Sequence, residues 1–213
     1  MSRDLLLEIG VEEVPSAPLY DAVSQLTTRA AAMLEGARLS YGVIRAYGTP
    51  RRLALVVSDL AERQTDLSLT VKGPAVKAAF DADGVPTKAA EGFARSRGIA
   101  VTDLVRARID GGEYVVAHVE ESGRDASAVL PELLATLIGD IDWAKSMRWG
   151  SGTTRFIRPV RWLVALYGTA VLPVRFGGVE AGRTTFGHRF LAGPADISEA
   201  GAYLDTLREV KVI

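Results

Sequence analysis

Trp162-Leu-Val-Ala-Leu-Tyr167, flanked by Arg158 and Arg161 and closed by Gly168, constrains the fold more than any other stretch of the sequence. A short, continuous apolar run bounded by a turn residue reads as a buried strand, with the flanking arginines carrying their charge out to water. The surrounding segment, 143–168, also holds all three tryptophans, Trp143, Trp149 and Trp162, together with Lys145, Arg148, Arg155, Arg158 and Arg161. Guanidinium planes beside aromatic rings suit phosphate and base recognition as well. The residues alone leave both readings open.

Charge placement sharpens the second reading. Net charge is −1, yet 110–142 carries eight acids against one base, Arg124, and 145–191 carries eight bases against one acid, Glu180. A basic block following an acidic one implies partners of two kinds, or one contact between the blocks. The absence of cysteine excludes disulfides, thiolate catalysis and cysteine zinc sites, and fits a reducing cytoplasm. The start, MSRDLLLEIG, has too short an apolar run for a signal peptide, and the longest apolar run, broken at Gly168 and Pro173, is too short to span a bilayer.

Taken in order, the patterns predict an α+β chain of two mixed or antiparallel sheet modules with packed helices, 1–65 and 109–213, and a small helical insert at 66–108. Leu5–Ile9 reads as a strand. Ser16 caps a helix over roughly 17–37 that stops near Gly36. Tyr41–Tyr47 and Leu53–Leu60 form a hairpin with Arg51 and Arg52 at its mouth. Short helices are predicted at Ala75–Phe80 and, capped by Thr87, at Lys88–Arg97. Gly111-Gly112 joins a hairpin, and Ala126–Ile138 is a helix. Strands follow at Arg161–Tyr167, Val171–Phe176 and Thr184–Leu191. Ser198 caps a last helix to about Arg208, and Glu209–Ile213 begins a strand that the chain leaves unfinished, as a fragment of something longer would.

No self-sufficient active site is legible. Asp81-Ala-Asp-Gly84 opens like a calcium loop, but its glycine comes two positions early and the closing glutamate is missing, so no metal is expected. No serine sits in a nucleophile elbow and no phosphate-binding loop occurs. His118 lies in a strand pattern, whereas His188 lies in a glycine-flanked basic loop suited to phosphate. Glu8, Glu12 and Glu13 read as a strand-end acidic loop facing solvent, with a cation or amine site as the alternative.

Five segments, LLLEIGVEEVP (5–15), YGTPRRLALVV (47–57), KGPAVKAAFDADGVPTKAAEGFARSRGI (72–99), MRWGSGTTRFIRPVRWLVALYG (147–168) and GHRFL (187–191), together resemble the β subunit of bacterial heterotetrameric glycyl-tRNA synthetase, in that family's order. The resemblance implies an N-terminal portion of a longer subunit in an α2β2 ligase that joins glycine to tRNA(Gly). The catalytic core, and with it ATP and magnesium, would belong to the α subunit. No cofactor and no family catalytic residue is carried onto this chain. The expected work is tRNA binding and subunit assembly, with Arg51, Arg52, Lys72, Lys77, Lys88, Arg148, Arg155, Arg158, Arg161 and His188 as candidate RNA contacts and Trp149 as a candidate stacking residue. The alternative is a scaffold whose basic block docks the α subunit and never meets RNA.

Overall fold

A computed structural model of the chain describes residues 2–213. In chain order the elements are β1 (Ser2–Val11), α1 (Ser16–Gly36), β2 (Ile44–Thr49), β3 (Arg52–Ala61), β4 (Leu67–Ala75), α2 (Val76–Ala79), α3 (Lys88–Ser96), β5 (Val105–Ile109), β6 (Gly112–Glu121), α4 (Ala126–Gly139), β7 (Val160–Tyr167), β8 (Ala170–Val171), β9 (Arg175–Phe176), β10 (Val179–Gly182), β11 (Thr184–Phe186), β12 (Pro194–Asp196) and α5 (Tyr203–Glu209). The α+β class expected from the patterns is the class observed, with mixed and antiparallel sheets.

The units fall differently from the expected three-part division. Residues 1–64 and 124–213 form one compact unit and 65–123 a second. The reason is β1. It pairs antiparallel with β3 on one side and with β7 on the other, which binds the chain's start to its later half in one sheet. That sheet runs β2-β3-β1-β7-β10-β9, with β8 against β7.

Because β1 is central and covered on both faces, its side chains are buried continuously from Leu5 to Val11. Alternation sorts them. Leu5, Leu7, Ile9 and Val11 meet Leu19, Ala22, Leu26, Ala30 and Leu34 of α1 and Leu130, Leu134 and Leu137 of α4. Leu6 faces the other way, in a cluster with Ala54, Trp162, Val164, Leu166 and the α5 residues Tyr203 and Leu207. The run at 162–167 is therefore the buried strand that its composition demanded, and helices cover both of its faces.

Several local expectations shift for identifiable reasons. Helix α1 starts at Ser16, with Pro15 in the capping position and no side-chain cap. It runs through Gly36, and Arg38 takes the left-handed position at φ 55°. The expected strand Val171–Phe176 is split by Pro173, which cannot donate to a ladder. Strand β11 ends at Phe186, so 187–191 is loop, and the expected strand at 209–213 is instead the end of α5 at Glu209 followed by a turn at 210–211.

The second unit is more than a helical insert. Strands β4, β6 and β5 make an antiparallel sheet, packed by Val115 against Ala79 of α2 and Ala90 of α3. Strand β4, with Leu67, Leu69 and Val71 alternating with polar residues, went unexpected because its apolar run is short and ends at Gly73-Pro74. It is an edge strand with a bulge between Lys72 and Ala75, which is where Gly73 and Pro74 are tolerated. Thr87 caps α3 as expected, its hydroxyl accepting from the Ala89 N–H at 3.3 Å.

Candidate nucleic-acid interface

The apolar faces of β1, β3 and β7 carry one polar row. Gly10 of β1 lies opposite Arg52 of β3 and Trp162 of β7, and one row along Glu8 lies opposite Ala54 and Val164. A Cβ on Gly10 would sit 1.9 Å from Trp162 Cδ2, so the indole lies directly over the glycine. From there Trp162 Nε1 donates to Glu8 Oε1 at 2.5 Å. Thr185 of β11 donates to the same oxygen at 2.6 Å. Tyr203 of α5 donates to Oε2 at 2.5 Å, and an Arg52 guanidinium nitrogen lies 3.3 Å from Oε2.

Glu8 is 0% exposed. A carboxylate offers about four acceptor positions, and here four donors occupy them. The acid expected in a solvent-facing loop is instead a buried ion-pair centre met by four donors of the protein. Arg52 is sealed as well. It bonds Glu8, the Thr185 hydroxyl at 3.2 Å and the Phe186 carbonyl at 2.5 Å, so it is not a surface contact. Its Nε is buried with no hydrogen-bond partner.

Burial fixes the protons of two tyrosines, Tyr203 in this network and Tyr167, whose hydroxyl donates to the Leu60 carbonyl. Burial, then the charge of Glu8 and its hydrogen bond, raise the Tyr203 phenol well above its usual value. Burial, with Glu62 nearby and Arg3 opposing, pushes Tyr167 up to about 12. A phenol raised on folding favours the folded state below the unfolded pKa of about 10 and loses that contribution as pH rises toward the folded value. We expect Tyr167 and Tyr203 to remain protonated in the folded chain after exposed tyrosines ionise, and stability to fall above about pH 10. An ultraviolet pH titration of folded protein reads this directly; all tyrosines ionising in one step near 10 would refute it.

Over this sealed base lies an open cleft of about 440 Å³. Its walls are the β2–β3 turn, Thr49–Arg52, and the loop after β11, 187–190, with Glu13 and Val212 at the rim. Arg51 lies 5.9 Å from the Trp162 ring centroid and Arg52 5.7 Å, while Phe186 stacks at 4.9 Å with a tilt of 55°. His188 Nδ1 accepts the Phe190 N–H at 3.3 Å, which leaves Nε2 as the donor of the neutral ring. Arg189 reaches Glu13 at 3.5 Å. Phe190 stands 83% exposed.

Of the residues expected to contact RNA, Arg51, Arg52 and His188 are brought together here. Arg148 is exposed in the connection between α4 and β7. Arg155 folds onto Ser146, its Nε 3.0 Å from the hydroxyl, and Arg158 donates to the Glu13 carbonyl at 3.0 Å. Arg161 pairs with Glu12 at 3.3 Å. Trp149 is half-buried against the core, and a Cβ on Gly177 would approach its ring at 2.8 Å, so the residue packs the structure. Lys72, Lys77 and Lys88 belong to the second unit and are exposed there, Lys72 lying 3.8 Å from the Tyr114 ring centroid. Arg189 and Phe190 were not singled out in advance. Their signal was present in GHRFL, a basic residue beside an aromatic one in a glycine-flanked loop.

Fold and cleft thus describe an α+β chain that places Arg51, His188 and Arg189 beside the exposed Phe190 ring. The chain belongs to the glycyl-tRNA synthetase beta subunit family, whose description matches residues 5–213. It is 50% identical over its whole length to the glycine–tRNA ligase beta subunit of Moorella thermoacetica, covering 31% of that protein. It is similar at 49% to that of Desulforudis audaxviator and at 48% to that of Myxococcus xanthus, covering 31% and 30% of them. The chain therefore spans about 30% of the length of the curated relatives it matches. Among the described residues, no helix is long and apolar enough to cross a membrane.

Proposed function

We propose that this chain serves, as part of a glycine–tRNA ligase in the cytoplasm, to bind tRNA and to help assemble the β subunit with its α partner. Bond formation between glycine, ATP and tRNA, with the magnesium it uses, is assigned to the α subunit. One observation carries the reading: Arg51, His188 and Arg189 converge at an open cleft beside an exposed phenylalanine, while the one buried carboxylate beneath is fully engaged. Such a cleft holds phosphate and base without transforming them.

Each arginine–phosphate contact releases counterions, so binding weakens with salt. In the assembled ligase, Arg51→Ala/Arg189→Ala is expected to weaken tRNA binding and to flatten the log–log salt slope by up to about 0.9 per contact. Filter binding at several salt concentrations measures both. Unchanged affinity and slope would remove the cleft from the RNA interface. The second reading, a scaffold docking the α subunit without RNA, is favoured by the exposed apolar side chains Phe186, Phe190 and Leu191. Under it, the same pair of substitutions would abolish co-purification of the subunits and leave tRNA affinity intact.

A further inference from the structure

We infer that the cleft between the Thr49–Arg52 turn and the 187–190 loop is a site for one unpaired nucleotide, with its phosphate on Arg51 and Arg189 and its base stacked on Phe190. The inference rests on the tRNA-binding reading and narrows it from an RNA surface to a single-stranded RNA element.

Three features select an unpaired nucleotide. The first is the ring. Phe190 follows Arg189 and His188 directly, its centroid is 6.3 Å from that of His188, and the Arg189 guanidinium carbon lies 5.8 Å from it. A base inside a duplex keeps its faces covered by its neighbours, so an open aromatic ring gains a stacking partner only from a base that has left its helix. The second is size. A cleft of about 440 Å³ falls in the range for one small ligand and has no room for a duplex groove.

The third is the charge of the walls. Arg52 is neutralised by Glu8 and Arg189 is met by Glu13. Arg51 lines the cleft over Trp162 as a further cation, and the His188 Nε2 proton supplies another donor. The surplus is about one positive charge, which matches one phosphate rather than a run of them. The floor is rigid, because Arg52, Trp162, Thr185 and the Phe186 carbonyl are all held by the network around Glu8. A preorganised floor lowers the ordering cost of binding.

The test uses the full-length β subunit in the assembled ligase and two probes: a single-stranded RNA tetranucleotide, and the same tetranucleotide with abasic positions, carrying equal phosphate charge. Binding is followed by fluorescence anisotropy. Phe190→Ala, at an exposed site that leaves the core untouched, is expected to weaken the base-containing probe by about tenfold, the order of one lost stack, and to leave the abasic probe unchanged. Arg51→Ala is expected to weaken both probes. Equal loss of the two probes in Phe190→Ala, or no loss of either, would overturn the inference. If tRNA binds while the tetranucleotide does not, the nucleotide site is refuted and the tRNA-binding reading stands. If neither RNA binds but a poly-glutamate peptide does, both fall and the cleft is a protein-docking site.

Discussion

Replacing Glu8 with alanine is expected to cost the fold about 3–5 kcal/mol, the usual penalty for removing one partner of a buried ion pair. The substitution strands the Arg52 guanidinium, 4% exposed, between two sheet strands. It also leaves the Trp162 N–H and the Tyr203 and Thr185 hydroxyls without the acceptor they share. Water cannot reach them, so each lost bond is felt at close to its desolvation cost. Glu8→Gln keeps the shape and one acceptor oxygen but removes the charge, and should lose less. The double substitution Glu8→Leu/Arg52→Leu removes both charges and should recover part of the loss, because an apolar pair of similar volume needs no partner. Urea unfolding followed by tryptophan fluorescence measures all three. A loss below about 1 kcal/mol for Glu8→Ala would show that the carboxylate carries no more than an ordinary hydrogen bond.

Gly10→Ala should do comparable harm by a different route. The added methyl would overlap three carbons of the Trp162 ring, at 1.9, 2.0 and 2.4 Å. Flexible side-chain ends can swing away from such an approach. This indole is held by its bond to Glu8 and by the Phe186 ring stacked 4.9 Å from it. Overpacking costs about 1–3 kcal/mol where the neighbours can move, and more where they cannot. We expect at least about 3 kcal/mol, together with loss of the tryptophan emission typical of a buried ring. The pair Gly10→Ala/Trp162→Leu should recover stability if the clash is the cause. Should the pair prove no more stable than Gly10→Ala alone, the close approach would not explain the glycine.

Much of this was readable in advance, and the errors share one physical cause. Periodicity found α1, α3 and α4, and the buried strand at 162–167, because each has a continuous apolar signature. It misplaced Glu8 because the reading stopped at the charge. Alternation along Leu6, Glu8 and Gly10 puts the carboxylate on an inward face of a strand buried on both sides, where it must find a partner; that clue was in the sequence. The partner's identity was not, since Arg52, Trp162, Thr185 and Tyr203 come from four separate elements. In the basic block at 145–161, Arg155 bonds Ser146, Arg158 reaches the Glu13 carbonyl of the β1–α1 connection, and Trp149 packs half-buried against the core, none of which the spacing of charges could show. The groups that line the cleft, Arg51, His188, Arg189 and Phe190, come from two turns that only the fold brings together.

The pairing of β1 with β7 has a consequence for the order of events during synthesis. Leu5 finds its neighbour Tyr167 only after the second unit and α4 have been made. Until then β1 has β3 along one edge and an unfilled ladder of amide and carbonyl groups along the other, beside the greasiest residues of the polypeptide. Translation must therefore keep that incomplete sheet shielded from other chains until the segment that carries β7 is made, and a pause before codon 160 would lengthen the exposure.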